Sequence, residues 1–544
     1  MKIFRPVFIF ALLIYHLNSF AYTAGMVVSE KKIASNIGAD ILSAGGNAID
    51  AAIAVGYALA VIYPCCGNIG GGGFMTIHLA NGQNVFINFR EKAPLLARED
   101  MFTKTRNENA STIGYQAVAT PGTVLGFETA LKKFGTMTRK QVMAPAIQLA
   151  KQGYVVTAYD ADQLSKFLPK FKSQANVANI FLKKGLPFKS GQRIVQLELA
   201  NTLQQISNHG ASYFYLGPIA KEISKQSKQY GGLLTLSDFQ QYKVEITKPI
   251  TCQYHHYDIL SAPPPSSGGV ILCEMLNILE NFSLNKTTRD SVESNRLLIE
   301  AMHHGFDDRN NKLGDPDFIK NPTKELLSKE YAKKISLDIL NNRFSKPTNT
   351  PIQIKELTDT THYSVMDKYG NAVAVTYTIN GFFGAGIMAG NTGFFLNNEM
   401  DDFTTMLGEA NKFGLVQGNK NAVAPAKRPL SSMAPSIIMK NGSVVMVLGS
   451  PGGPRIITST LLTIVNMLDY HMSLRDAVNM PRFHYQGEPN LVDMEPFAFS
   501  ALTKRRLESL GYHFVNQAGW GAVETIYVNP QTNVLVILPH TCRH

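Results

Sequence analysis

In the stretch Thr360-Thr361-His362-Tyr363-Ser364-Val365-Met366-Asp367-Lys368-Tyr369-Gly370-Asn371-Ala372-Val373-Ala374-Val375-Thr376-Tyr377-Thr378-Ile379-Asn380, Thr361 to Asp367 spells a strand, Lys368 to Asn371 a turn and Ala372 to Ile379 a return strand. In the return strand Val373, Val375, Tyr377 and Ile379 share one face, and Ala374, Thr376 and Thr378 share the other. Immediately upstream, Lys346 to Thr358 is polar, rich in Pro and Thr and poor in bulky apolar residues, which predicts an exposed linker. The linker ends at Asp359, and strand character begins at once. Threonine is common in strands, so Thr358, Thr360, Thr361, Thr376 and Thr378 by themselves carry no chemistry.

Working outward, the run Gly70 to Gly73 leads into a strand at Phe74 to Leu79. Asn81-Gly82 turns it, and Asn84 to Phe89 returns, placing Arg90 at a strand end and Glu91 just beyond. These glycines precede a strand and lack both the dinucleotide and the phosphate-loop spacing, so a nucleotide cradle is not expected. Two helices around Gly45-Gly46 are predicted between Glu30 and Ile62. Further helices are expected at 123–134, 138–152, 197–207, 270–279, 291–306, 458–468 and 473–479, with strands at 444–448, 524–528 and 533–537. Hairpins with helices on either side give an α+β class, or a layered α/β/β/α body. Asp307, Asp308, Asp315 and Asp317 lack calcium-loop spacing and are expected at a helix end and in surface turns.

The 544 residues exceed one average domain of roughly 100–200 residues. With 45% hydrophobic and 17% charged residues the chain can fill a large core, which excludes a disordered or collagenous protein. The net charge of +11 is spread thinly, and Lys504-Arg505-Arg506 reads as a solvated face, so no nucleic-acid partner is expected. Lys2 and Arg5 before the apolar run Val7 to Leu17, with Ala21 at a plausible cleavage point, predict a secretory leader over 1–21. That run is too short to span a bilayer, which needs about 20 residues. Export to the periplasm or the extracellular space is expected, with no membrane span after leader removal. Five cysteines (Cys65, Cys66, Cys252, Cys273, Cys542) are too few for a disulfide framework, and the odd number leaves at least one unpaired unless chains link. Cys65 and Cys66 are expected to be structural.

The chain resembles the gamma-glutamyltranspeptidases. The resemblance is carried by the stretch from Thr360 to Asn380, by Asn397-Asn398-Glu399-Met400-Asp401-Asp402-Phe403, and by Arg428-Pro429-Leu430-Ser431-Ser432-Met433-Ala434-Pro435. Gly449-Ser450-Pro451-Gly452-Gly453, Gly67-Asn68-Ile69-Gly70-Gly71-Gly72-Gly73-Phe74 and Phe89-Arg90-Glu91-Lys92-Ala93-Pro94 complete it, all in family order. It implies an N-terminal-nucleophile hydrolase fold, a four-layer αββα sandwich. It also implies self-cleavage between Asp359 and Thr360 into a large subunit (22–359) and a small one (360–544) that form one intertwined catalytic body.

The family pattern assigns Thr360 as nucleophile and, through its freed α-amine, as base. It makes Thr378 the hydroxyl that orients the nucleophile, and Gly452 and Gly453 the oxyanion hole. Asn380, Glu399 and Asp402 correspond to residues that hold the donor's α-ammonium, and Arg90, Ser431 and Ser432 to its α-carboxylate ligands. A glutamyl head is a zwitterion, so anionic acceptors at one end and cationic or hydroxyl donors at the other make chemical sense. The implied activity is cleavage of glutathione and other γ-glutamyl compounds through a γ-glutamyl ester. The group would pass to water, an amino acid or a dipeptide, with no metal or organic cofactor. Residues Thr404 to Gly414 match the substrate-covering loop, where Phe413 stands at a position that can be tyrosine. Phenylalanine cannot donate a hydrogen bond to Asn380, so a less firmly latched lid with more hydrolysis is expected. His362 could share a face with Thr360 and act as a base, a role that the resemblance does not assign. The alternatives are a glutaryl or cephalosporin-type amidase of the same fold, and an exported amino-acid-binding protein without catalysis.

Overall fold

The computed structural model describes residues 25–103, 109–341, 359–529 and 535–537. The expected leader, the 346–358 linker and Cys542 lie outside the described residues. Two six-stranded antiparallel sheets form the centre. The first is built from β1 (Gly25–Ser29), β2 (Gly72–His78), β3 (Asn84–Asn88) and β4 (Glu245–Thr247), together with strands from the chain's second half. Then come β5 (Ile250–Tyr254), β6 (Tyr257–Ser261), β7 (Thr361–Asp367), β8 (Ala372–Thr378), β9 (Ser436–Lys440), β10 (Ser443–Leu448), β11 (Ile526–Val528) and β12 (Leu535–Ile537). The spatial orders are β1-β7-β8-β2-β3-β4 and β12-β11-β10-β9-β6-β5.

The predicted hairpin therefore sits in the middle of the first sheet, with β7 paired to β1 on one side and β8 to β2 on the other. Its alternation decides the layering. Val373, Val375, Tyr377 and Ile379 pack into a core with α1 (Lys32–Ser43), α2 (Ala48–Ile62), α3 (Thr123–Phe134) and α4 (Arg139–Gln152). Ala372 and Ala374 point the other way and, with Met26 and Val28, meet Leu260, Ile437, Val447 and Ile526 of the second sheet. Small residues on this face let the sheets approach. The second sheet's outer face is covered by α5 (Gly268–Leu279), α6 (Val292–Lys312), α7 (Lys329–Leu340) and α8 (Arg455–Leu468). The result is helix, sheet, sheet, helix, the four-layer order that the resemblance implies.

Local sequence explains the helix starts. Asn47 and Asp50 form a reciprocal capping box on α2, all of whose positions are buried. Asp50 also accepts hydrogen bonds from the backbone N–H groups of Thr136 and Met137, fastening the entry to α4. The glycine run is a packing device: a Cβ on Gly71 would lie 1.8 Å from the Thr378 carbonyl oxygen.

Two expectations are corrected. The helix expected over 291–306 continues to Lys312, so Asp307 and Asp308 lie within it rather than at its end. The extra turn is supported by an i,i+4 pair between Asp308 and Lys312 at 2.7 Å. Asp315, expected in a surface turn, is buried and accepts a hydrogen bond from the backbone N–H of Arg428 at 2.7 Å. Cys65 pairs with Cys66, and Cys252 with Cys273.

Candidate active site

Register places the candidate residues at one end of the first sheet. Thr361 pairs with Tyr377, Thr378 with Gly72 and Phe74 with Asn88, so Thr360, Thr378 and Arg90 emerge at the same edge. The Thr360 hydroxyl donates to Thr378 Oγ1 at 3.2 Å, and Thr378 Oγ1 also accepts from the backbone N–H of Asn380 at 2.9 Å. Thr360 has φ of +111°, a conformation that a β-branched residue adopts only under strain of about 1–3 kcal/mol. Just before it, the Asp359 carbonyl accepts a hydrogen bond from the backbone N–H of Gly452 at 3.4 Å. Gly452 and Gly453 have φ of +121° and +56°, so side-chain-bearing residues would be strained at both positions.

Thr360, Thr378, Asn380, Arg90, Glu399, Asp402, Phe413, Ser431, Ser432 and Gly453 line one cavity of about 20 Å³. This volume holds about one water. The family resemblance implies Arg90 at one end of a ligand and Glu399 with Asp402 at the other; in the structure these side chains meet. Buried Arg90 pairs directly with both carboxylates, lies 3.6 Å from Glu91, and donates from Nε to the Pro429 carbonyl at 3.2 Å. The physical reason is compensation, because a buried guanidinium and buried carboxylates stabilise one another.

Burial opposes the Arg90 charge, but the surrounding carboxylates more than offset it and hold the guanidinium above its ordinary range. Burial pushes the Glu91 carboxyl up to about 7 against the pull of Arg90. It drives Glu399 well above the carboxylate range, again opposed by Arg90 and reinforced by Glu91 and Asp402.

Sequence reasoning missed Arg309. It reaches the cavity from α6, where its Nε donates to Ser432 Oγ at 3.3 Å and its Nη1 to Gln417 Oε1 at 2.8 Å. Burial lowers its guanidinium to about 10. Met302, Phe306 and Arg309 follow helical spacing, so a cation in the core phase of a longer helix was the available signal.

His362 is brought elsewhere. Its Nδ1 pairs with Thr376 Oγ1 at 2.7 Å and its Nε2 with Ser364 Oγ at 3.1 Å, its ring packs against Gly449, and it does not line the cavity. Burial depresses its imidazole to about 3, so it is neutral at working pH. With both ring nitrogens engaged by Thr376 and Ser364 and the ring outside the cavity lining, His362 is not placed to take a proton there. Phe413 packs its ring against Gly453 and makes no side-chain hydrogen bond, as its chemistry requires. Its loop is instead fastened through the backbone: Lys412 N–H donates to Asp401 Oδ2 at 3.1 Å, and Gln486 Nε2 donates to the Phe413 carbonyl at 3.3 Å.

The sequence pattern of the family Gamma-glutamyltranspeptidase matches residues 34–538. The chain is 51% identical over 496 residues to the glutathione hydrolase proenzyme of Pseudomonas sp. (strain A14), covering 90% of this chain and 86% of that one. It is 45% identical over 517 residues to the glutathione hydrolase proenzyme of Escherichia coli (strain K12), covering 93% and 88%. Among solved structures, cephalosporin acylase from Bacillus halodurans superposes with a TM-score of 0.85 at 26% identity, covering 95% of this chain and 94% of that one.

Proposed function

This chain belongs to the gamma-glutamyltranspeptidase family, and from that premise we propose that it cuts itself between Asp359 and Thr360 and then transfers γ-glutamyl groups from glutathione and related donors. The observation that carries the proposal is the alignment at Thr360. Its hydroxyl is oriented by Thr378, its backbone is strained, and the carbonyl before it already meets the Gly452 N–H.

In the first step Thr360 Oγ attacks the Asp359 carbonyl carbon. The C–O bond forms, the C–N bond breaks, and the hydroxyl proton passes to the departing nitrogen. Water then hydrolyses the ester, restoring the hydroxyl and leaving Asp359 at the end of a large subunit (22–359) beside a small one (360–544). Cleavage also creates the base: an amide nitrogen has no useful basicity, whereas a free α-amine titrates at about 7.7–8.0.

In turnover the same oxygen attacks the γ-carbonyl of the donor and its proton moves to the α-amine. The backbone N–H groups of Gly452 and Gly453 receive the oxyanion, a contribution of about 10²–10³ in rate per donor. The leaving amine takes the proton, and the γ-glutamyl ester is resolved by water or by an acceptor amine. Glu399, Asp402 and Asn380 hold the α-ammonium, and Arg90, Ser431 and Ser432 the α-carboxylate. Arg309, which braces Ser432, adds positive charge at the carboxylate end. The leader over 1–21 would export the chain, and among the described residues no helix is long and apolar enough to cross a membrane.

The likeness to cephalosporin acylase favours one second reading, an amidase for glutaryl-type substrates. Such substrates can lack the α-amine, for which Glu399 and Asp402 supply partners. Parallel assays of γ-glutamyl and glutaryl anilides separate the two, and faster turnover of the glutaryl compound would favour the amidase. Intact-mass analysis with N-terminal sequencing tests the processing. At the chain's average mass per residue, fragments of about 37 and about 20 kDa are expected, the smaller beginning at Thr360. An active, uncut chain would overturn the proposal.

The base assignment makes a pH prediction. The reacting amine must be unprotonated, so kcat/KM is expected to rise with pH and level off above about 8. His362→Gln should leave the position of that rise unchanged, because the imidazole is neutral throughout. A shift of the acid limb in this variant would return His362 to the mechanism.

A further inference from the structure

Lys412 stands beside Phe413 on the covering loop, and its largely buried ammonium lies 2.6 Å from the buried Asp359 carboxylate. The lysine is held from several sides. Its backbone is tied to Asp401, whose other oxygen accepts from Ser111 Oγ at 2.7 Å. The ammonium lies 4.7 Å from the centre of the Phe413 ring. It also occupies the space beside Gly381, where a Cβ would come within 2.5 Å of Nζ. A seat for a carboxylate is thus built, and in the uncut chain it is filled by the residue that precedes the nucleophile.

Its position relative to the reacting carbonyl gives it a use. The Asp359 carbonyl rests on the Gly452 N–H. From there one direction leads into the cavity of Arg90, Glu399 and Asp402, and another follows the Asp359 side chain to Lys412, which does not line that cavity. A donor whose glutamyl head fills the cavity and whose γ-carbonyl takes the oxyanion position must extend its other half away from the head. Departure of Asp359 opens the second direction.

We propose that, once the chain is cut, Lys412 binds the carboxylate of the acceptor amino acid or dipeptide in the place that the Asp359 carboxylate holds beforehand. This rests on the proposed opening at Asp359–Thr360. In the transfer step the unprotonated acceptor amine forms a C–N bond to the ester carbonyl carbon, and the C–Oγ bond breaks. The proton lost by the amine passes through the Thr360 α-amine to Oγ. Lys412 touches none of these atoms and acts by holding the acceptor at its far end. Acceptors bearing a carboxylate are therefore preferred over their amides. A charge-assisted hydrogen bond supports a preference of about tenfold.

The test uses the matured enzyme with γ-glutamyl-p-nitroanilide, whose leaving group has no carboxylate, and compares glycylglycine with glycylglycinamide as acceptors. Wild type should favour glycylglycine about tenfold in acceptor kcat/KM, chiefly through KM. Lys412→Met should lose most of that preference, and Lys412→Arg should keep it. The same preference in wild type and Lys412→Met would overturn the proposal. If Lys412→Met does not mature, wild type decides: no preference for the acid over the amide overturns it, and a preference carried through KM supports it. N-terminal sequencing of the small fragment separates the two levels. A wild-type fragment that does not begin at Thr360 removes the processing step and this proposal with it. A correct terminus with an unaltered preference in the variant removes this proposal alone.

Discussion

Thr360→Ala is expected to accumulate as one unbroken chain with no fragment starting at residue 360, and to lose turnover by about 10⁵-fold or more, the scale seen when a covalent nucleophile is removed. Two losses coincide in one side chain. Without Oγ the Asp359 carbonyl meets no intramolecular nucleophile, so the bond persists. While it persists, the nitrogen of residue 360 remains an amide and cannot serve as base. The variant should fold, because among the described residues the Thr360 side chain makes one hydrogen bond, to Thr378, and borders a cavity of about 20 Å³. Thr360→Ser keeps the oxygen and should still cut. Denaturing electrophoresis and a γ-glutamyl anilide assay check both variants. Cleavage of Thr360→Ala at the same bond would remove the nucleophile from this position.

The strand pair at the centre was legible because its chemistry is local. Thr361–Asp367 matches its expected bounds and Ala372–Thr378 ends one residue early, since alternation and the turn at Gly370-Asn371 are set within a short window. The end of α6 was not, because a cluster of Asp and Asn reads as a stop unless the Asp308–Lys312 pair and the core phase of Arg309 are weighed with it. The candidate site is legible only in part for a similar reason. Arg90 lies 309 positions from Glu399 and 312 from Asp402 in sequence, so no local pattern announces that these charges touch. Residue types in family order suggest the set, whereas register brings it together. Lys412 carried no signal of its own, because a lone lysine in a polar loop reads as a solvated charge until Asp359 is seen beside it.

Arg90→Met is the other substitution expected to act strongly, and its effect should depend on pH. The side chain is buried beside Glu91, Glu399 and Asp402. Removing one member of a buried charge cluster costs about 3–5 kcal/mol, because the partners are left uncompensated. The loss should be larger at pH 8 than at pH 5. Burial raises the Glu91 and Glu399 carboxyls even with the guanidinium present, and without its pull they rise further. Between the ordinary carboxylate range and these raised values the native state binds more protons than the unfolded chain, so stability falls as pH increases. At pH 5 the two glutamates can take up protons and lessen the damage; at pH 8 ionised carboxylates face one another in a dry interior. Arg90→Lys should be milder in stability, since a charge remains. It should still raise the donor KM, because an ammonium does not reproduce the two-pronged geometry of a guanidinium. Denaturant unfolding at both pH values checks the first expectation. An equal loss at pH 5 and pH 8 would mean that Arg90 stabilises the fold by packing rather than by charge, and the zwitterion-binding role built on that charge would fall with it.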